Sequence, residues 1–152
     1  MYIRTATPDD AEAISALIHL SAHHFVADPG AAVPARFLEG IAVPAIHSRI
    51  ADPAFRYLIA EEGGALAGAI ALQDGRHLYH LFVAAPFRGQ GLARALWRAV
   101  REGLAPDLRP FTVNASLNAV AVYERLGFAA TGPRQERNGI AFVPMAAALE
   151  GA

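Results

Sequence analysis

The residues HLYHLFVAAPFRGQGLARALWRAVR, from His77 to Arg101, decide the fold and divide into an apolar run, a glycine loop and a helical repeat. The run from Leu78 to Val83 is short, apolar and aromatic and is ended by Pro86, a pattern typical of a buried strand. After the loop, apolar residues recur at helical spacing on one face, and three arginines fall on another. The stretch therefore predicts a strand, a loop and a helix in succession.

Two glycines, Gly89 and Gly91, stand directly before the predicted helix. Glycine lets the backbone approach a ligand closely, and the free N–H groups at a helix start bind anions with help from the helix dipole. The loop is therefore a candidate phosphate cradle, although such a loop is as often only a turn. A P-loop is excluded because Leu92-Ala93 stand where Lys and Ser or Thr are needed. A dinucleotide fingerprint fails as well, because Arg94 occupies the position of a small residue.

Two motifs resemble one known family. The segment VAAPFRGQGLARAL, residues 83–96, resembles the acetyl-coenzyme A signature of the GNAT superfamily of N-acetyltransferases. The segment VNASLNAVAVYERLGF, residues 113–128, resembles a later motif of that superfamily, with an Asn early in a helix, a Tyr five positions on and a Gly-Phe ending. Both motifs occur in the order that the family has, and together they make a strong resemblance.

The expected fold is an α/β domain over residues 1–152, with a mixed, mostly antiparallel sheet of six to seven strands and about four helices. Hairpin turns at residues 61–64 and 138–139 favour antiparallel neighbours. A helix crosses between the strand at 78–83 and the strand at 111–114, so these two run parallel. The resemblance implies that this central parallel pair is splayed to admit the cofactor.

Composition excludes several classes of function. The chain has 152 residues, of which 54% are hydrophobic, enough for one substantial core. Its net charge of −1 gives no reason to expect a nucleic acid or an anionic membrane as partner. Without cysteine it has no disulfide, thiol nucleophile or thiolate metal ligand. The early polar residues and the short apolar runs predict no signal peptide and no membrane span, so the cytoplasm is the expected location. The expected assembly is a monomer or homodimer.

The resemblance implies acetyl-coenzyme A as co-substrate and assigns residues to it. Backbone groups of the central strand would bind the pantetheine arm and polarise the thioester carbonyl, and the amides of residues 88–94 would bind the pyrophosphate. An Asn near the start of the later helix would also contact the cofactor; its alternative role is a helix cap. The cofactor-binding set is Phe82, Val83, Arg88, Gly89, Gln90, Gly91, Leu92, Ala93, Arg94 and Asn118.

Tyr123 is the first candidate catalytic residue. At helical spacing it shares a face with Ala119, Val120 and Leu126, so it is predicted to face the sheet. A buried hydroxyl needs a hydrogen-bond partner, which can be a group in the core or the sulfur of a ligand. Tyrosine stays protonated near neutral pH and can donate to a thiolate. The resemblance assigns this position the role of general acid.

The general base is less well defined. Some members of the resembled family carry a Glu on the central strand, where this chain has His77, Tyr79 and His80. In a regular strand His77 and Tyr79 share one face and His80 lies on the other. A histidine with a pKa near 6.5 can accept the amine proton directly or through water. His77 and His80 are therefore both candidate catalytic bases.

The acceptor site is predicted from position only. In the resembled family the region between the first two helices walls this site, which makes Phe25, Phe37 and His47 candidate substrate contacts. Simple core packing is the stronger alternative for the two phenylalanines. A group of histidines at positions 19, 23 and 24 lacks an acidic partner that would complete a metal site, so no metal is expected.

The expected activity is transfer of an acetyl group from acetyl-coenzyme A to a primary amine of a small molecule or peptide, by direct attack in a ternary complex. The reaction needs alignment, an oxyanion donor, a route for the amine proton and a proton for the departing thiolate. The alternative is a non-catalytic acyl-coenzyme A-binding sensor or interaction module. The missing carboxylate base favours this alternative.

Overall fold

The computed structural model describes residues 1–105 and 109–147, which form one central sheet with helices on both faces. The strands are β1 Tyr2–Thr5, β2 Phe55–Glu62, β3 Ala65–Gln73, β4 His77–Val83, β5 Phe111–Ala115, β6 Phe128–Ala130, β7 Gln135–Arg137 and β8 Ile140–Ala147. The α-helices are α1 Ala11–Ser21, α2 Ala35–Gly40, α3 Val43–Ala51, α4 Leu92–Arg101 and α5 Val120–Arg125.

The sheet has the order β1-β2-β3-β4-β5-β8-β6, and β7 pairs with β8 beside this path. Its paired neighbours are antiparallel except for β4 and β5, which run parallel. The predicted mixed α/β fold is thus confirmed. The described residues hold five α-helices where about four were predicted, because the second helical region breaks at residues 41–42 into α2 and α3.

The parallel pair is joined over only a short length. His77 is opposite Thr112 and Leu78 is opposite Val113, and the register between β4 and β5 goes no further. Beyond that point β4 continues to pair with β3 as far as Val83, while β5 continues along β8. The two strands therefore part above Leu78, as the family resemblance implied, and leave one edge of β4 without a neighbouring strand.

Apolar side chains bury both faces of the sheet. One cluster lies under α4 and α5, and the other lies under α1 and α3. In the described residues, no helix has both the length and the apolar character needed to cross a membrane. The first cluster includes Ile70, Leu72, Leu78, Leu96, Trp97, Val100, Val113, Tyr123 and Met145, and the second includes Ile14, Ile18, Ile46, Tyr57, Ile59, Ala69 and Phe82.

A β-bulge in β4 changes which side chains share a face. Leu72 of β3 is opposite Leu78 and Ala71 is opposite His80, so Tyr79 is an extra residue on β4. The bulge brings the ring of Tyr79 to 4.7 Å from the ring of His80, measured between centroids. The prediction that these two residues lie on opposite faces was therefore wrong, because it assumed unbroken alternation.

Candidate active site

A cavity of about 550 Å³ lies beside the unpaired end of β4. It is walled by the last residues of β4, by the glycine loop, by the first turn of α4 and by α5. The residues that line it are Ser21, Leu81, Phe82, Val83, Phe87, Arg88, Gly89, Gly91, Leu92, Ala93, Arg94, Ala119, Val122, Tyr123, Arg125 and Leu126. The structure therefore brings both halves of the predicted site, the loop and Tyr123, to one space.

A row of backbone N–H groups lies at the end of this cavity. The first helical hydrogen bond of α4 runs from the amide of Ala95 to the carbonyl of Gly91, at 3.0 Å. Within the described part of the chain, the six amides from Gly89 to Arg94 have no acceptor. The amide of Arg88 differs, because it donates to the carbonyl of Ala85 at 3.3 Å. The predicted cradle thus begins one residue later than expected.

The two loop glycines are required by the backbone. Gly89 has φ +77° and Gly91 has φ +78°, a left-handed conformation that residues with a Cβ adopt only at a cost. A methyl group added at either position would find no atom within 4 Å. The space above the loop is therefore open, so a ligand can approach the amides directly.

The charged groups at the cavity are all cationic in the part of its lining that the structure describes: Arg88, Arg94 and Arg125. Nε of Arg88 donates to the carbonyl of Val83 at 3.0 Å, which fixes the loop to the end of β4. Nη2 of Arg94 donates to the carbonyl of Arg125 at 2.8 Å and joins α4 to the end of α5. Together with the positive end of the α4 dipole, these guanidinium groups favour an anionic ligand.

Tyr123 faces the same cavity from α5. Its side chain is only 7% exposed, and its ring stands edge-on to the ring of Phe128. Within the described residues its hydroxyl has no hydrogen-bond partner of its own. Burial raises the pKa of this hydroxyl well above the usual value of tyrosine, so the group stays protonated. It is thus a proton donor without an acceptor among the described residues.

His80 lies behind the cavity, bound to a buried tyrosine. Its Nδ1 is 3.1 Å from the hydroxyl of Tyr57, and its ring centroid is 5.6 Å from that of Phe82, which lines the cavity. Burial, with a smaller contribution from the Arg49 cation, lowers the pKa of His80 to about 3. The imidazole is therefore neutral over the whole physiological range of pH.

His77 lies further from the cavity, at the start of β4. Its Nδ1 is 2.8 Å from Oγ1 of Thr112, at the point where β4 and β5 are still paired. Burial and the neighbouring Arg76 lower the pKa of His77 below its usual value, so this imidazole is neutral at pH 7 as well. Of the two candidate bases, His80 is thus closer in chain and in space to the residues that line the cavity.

Three other predicted site residues are placed differently. Asn118 is exposed, is not part of the cavity lining, and accepts a hydrogen bond from Oγ of Ser116 at 2.8 Å. The side-chain amide of Gln90 donates to the carbonyl of Pro86, at 3.3 Å, and leaves only the backbone N–H of Gln90 for a ligand. His47 lies on the exposed side of α3, because the neighbouring Ile46 takes the buried position. The structure therefore does not bring His47 to the other candidate residues.

Phe25 and Phe37 form the wall behind Phe82. Their ring centroids are 5.1 Å apart, and the ring of Phe25 is 6.3 Å from that of Phe82. Both are half-buried against the cluster under α1 and α3. This position supports core packing first, and it leaves the pair one layer behind the cavity lining.

Three residues that the sequence did not single out contribute to this region. Ser21 ends α1 and lines the cavity. Gly68 of β3 allows close packing, since a Cβ there would lie 2.9 Å from the carbonyl oxygen of Phe82 and 3.1 Å from Leu96. The guanidinium of Arg49 lies over the ring of Tyr79, 4.8 Å from its centroid. Gly68 alone had a signal in the sequence, as a glycine inside a strand.

The chain matches a known family over most of its length. A family described as acetyltransferase (GNAT) domain matches residues 13–149. Among curated proteins, N-acetyltransferase family 8 member 2 of Rattus norvegicus is 34% identical over 89 residues, which cover 50% of this chain and 39% of that protein. The chain therefore aligns with less than half of the curated relative.

Solved structures of the same kind share the fold. A GCN5-related N-acetyltransferase of Rhodopseudomonas palustris superposes with a TM-score of 0.75 at 22% identity, over 97% of this chain and 95% of that chain. The PaiA N-acetyltransferase of Thermoplasma acidophilum, solved in complex with coenzyme A, gives a TM-score of 0.65 at 13% identity, over 95% of this chain and 96% of that chain. At these identities the likeness establishes the fold alone.

Proposed function

We propose that this chain, which belongs to the GNAT acetyltransferase family, transfers an acetyl group from acetyl-coenzyme A to a primary amine by direct attack in a ternary complex. One observation carries the proposal. Six consecutive unpaired amides belong to residues at the cavity that Tyr123 also lines, and the Tyr123 hydroxyl likewise lacks a partner in the described chain. One end of the cavity is thus suited to an anion and the other to a proton acceptor.

The residues present fit acetyl-coenzyme A. The amides of Gly89 to Arg94 would hold the pyrophosphate, and the open space above Gly89 and Gly91 allows it to approach. The unpaired edge of β4 would bind the pantetheine arm by main-chain hydrogen bonds. When bound there, the molecule supplies a thioester that is already reactive toward a neutral amine.

The protein contributes alignment and proton transfer. The end of β4 would orient the thioester carbonyl, and Tyr123 would donate its phenolic proton to the departing sulfur. The raised pKa keeps this proton on the oxygen at neutral pH, so it is present when the sulfur departs.

His80 is the proposed acceptor of the amine proton, directly or through one water, and His77 is the second candidate. If Nδ1 of His80 holds the proton and donates to the Tyr57 hydroxyl, Nε2 is left as an acceptor. An imidazole with a low pKa is a weak base. The amine nitrogen becomes more acidic as it bonds to the carbonyl carbon, which favours transfer of its proton to this base.

The experiment is to measure coenzyme A release from acetyl-coenzyme A with a panel of primary amines, and to identify the acetylated product by mass spectrometry. Release that depends on both the amine and the protein supports the proposal. Binding of acetyl-coenzyme A is measured in parallel by calorimetry. Tight binding without transfer to any amine would instead identify a non-catalytic acyl-coenzyme A-binding module. This alternative is supported by the absence of carboxylates from the described cavity lining.

A further inference from the structure

The guanidinium of Arg49 is left without a full set of hydrogen-bond partners by the described residues. It lies on α3, its guanidinium is over the ring of Tyr79, and its Nη2 is close to Gly40, where an added methyl group would be 3.7 Å away. Its Nη1 is buried and has no hydrogen-bond partner among the described residues. Among the buried side-chain nitrogen and oxygen atoms of the described residues, Nη1 of Arg49 alone lacks a hydrogen-bond partner.

A buried cationic N–H without an acceptor is costly, so the site favours an anion. Burying a charge unpaired costs free energy that a hydrogen-bonded counter-ion removes. The groups that face Arg49 from the adjoining strands are Tyr57, Tyr79 and His80, and none of them is a carboxylate. The planar fork of a guanidinium matches the two oxygens of a carboxylate.

The position of Arg49 relative to the cavity sets the size of the ligand. Its partner Tyr79 is three residues before Phe82, which lines the cavity, and the bulge places Tyr79, His80 and Phe82 along one side of β4. A strand advances about 3.3 Å per residue, and the bulge shortens the first step, so the two points are at most roughly 10 Å apart. An extended peptide spans about 3.3 to 3.6 Å per residue, and this distance therefore corresponds to two or three residues.

The approach from solvent is on the side of Tyr79. That side chain is 38% exposed, and Arg49 is only partly buried. An acceptor carboxylate would approach the guanidinium from this side, and the rest of the ligand would extend along β4 toward the cavity.

We infer that Arg49 binds the carboxylate of the acceptor, and that the acceptor is a short peptide, or an amino acid of similar length, whose primary amine lies two to three residues from that carboxylate. This inference rests on the proposed acetyltransferase function and names the class of its substrate. Arg49 is a binding residue in it and takes no part in proton transfer.

The test measures kcat/KM for a series of acceptors from glycine to tetraglycine, each as the free acid and as the C-terminal amide. For diglycine and triglycine we expect the wild-type protein to favour the acid over the amide by about 10- to 100-fold in kcat/KM, the usual value of a charge-assisted hydrogen bond. Glycine should show little preference, because it cannot span from the cavity to Arg49. Arg49→Gln should abolish the preference, while Arg49→Lys keeps part of it.

Arg98→Gln is the matched control, since this exposed arginine of α4 lies outside the cavity lining and should leave the preference intact. Unchanged acetyl-coenzyme A affinity and thermal midpoint in Arg49→Gln separate a binding role from a structural one.

The inference is overturned if the wild type does not distinguish acid from amide at any length, or if Arg49→Gln still does. If no amine is acetylated at all, calorimetry of triglycine and its amide on the coenzyme A-saturated protein decides the same question. Tighter binding of the acid that is lost in Arg49→Gln supports the inference, and equal binding overturns it.

Discussion

The ring of Tyr123 stands edge-on to the ring of Phe128, with centroids 5.7 Å apart and planes at 75°. The position of Tyr123 therefore depends on its ring, while its hydroxyl has no hydrogen-bond partner in the described residues and the side chain lines the cavity. Packing and chemistry are thus carried by different atoms of one side chain, and they can be separated by removing a single oxygen.

Tyr123→Phe should lower kcat by about 100-fold or more, because the departing sulfur loses its proton donor. Stability and the Kd for acetyl-coenzyme A should change little, since the ring contact with Phe128 is kept. Coenzyme A release and calorimetry on the two proteins measure these effects. Equal turnover of wild type and variant with an efficient acceptor would remove Tyr123 from the catalytic role.

Gly91→Ala should weaken binding of acetyl-coenzyme A by about tenfold or more, since the methyl group enters the space in which a phosphate would approach the amides. The left-handed backbone also costs about 1 to 2 kcal/mol of stability. Gly103→Ala is the matched control, because Gly103 has φ +73° with nothing within 4 Å and follows α4 at its other end. Both variants should lose similar stability by denaturant unfolding, and only Gly91→Ala should lose affinity. A similar loss of affinity in both would contradict the cradle.

Gly68→Ala should destabilise the protein by about 1 to 3 kcal/mol, the usual cost of overpacking. The added methyl group meets the backbone carbonyl of Phe82 at 2.9 Å, and backbone cannot turn aside as a side chain can. Because Phe82 lines the cavity, acetyl-coenzyme A binding should weaken as well. Gly132→Ala, which meets only Pro144 at 3.7 Å, is the control and should be close to neutral. Unfolding midpoints of the three proteins give the comparison.

His80→Asn should remove part of the acid sensitivity of folding. His80 has a pKa of about 3 in the folded protein and about 6.5 when unfolded, so between these values the unfolded state binds the extra proton. The free energy of unfolding therefore falls as the pH drops below about 6.5, by on the order of 2 kcal/mol at about pH 4.5. Asn has both a donor and an acceptor with which to keep a hydrogen bond to the Tyr57 hydroxyl, and the variant should lack this loss.

Denaturant unfolding at several pH values measures that slope. His47→Asn, at an exposed position of α3, is the control and should keep the wild-type slope. Burial also lowers the pKa of His24 and His77, so a smaller acid loss remains in His80→Asn. An unchanged slope in His80→Asn would show that His80 is not held neutral by the fold.

The local patterns of the sequence predicted the elements that position the cavity. The apolar run ending at Val83 forms β4, and α4 begins at Leu92, directly after the second loop glycine, as the pattern indicated. These features follow from neighbours in the chain, namely a strand period, a glycine with positive φ and a helix repeat. For the same reason the facing of Tyr123 toward the sheet could be predicted from α5 alone.

The remaining differences arise from contacts between distant parts of the chain. The bulge at Tyr79 depends on how β4 pairs with β3, which the residues of β4 do not specify. Arg49 meets Tyr79 across 30 positions of sequence, and nothing local marks it as a ligand for an anion.

The extra residue in β4 also bears on how functional roles are transferred between related chains. Up to Tyr79 the odd-numbered residues of β4 share one side of the sheet, and from His80 onward the even-numbered residues take that side. A relative that lacks this one residue could share every motif letter and still present a different side chain to the acceptor. Where two sequences are aligned through this strand, a gap moved by a single column would therefore match Tyr79 or Leu81 to the position of His80, and only the strand pairing reveals the error.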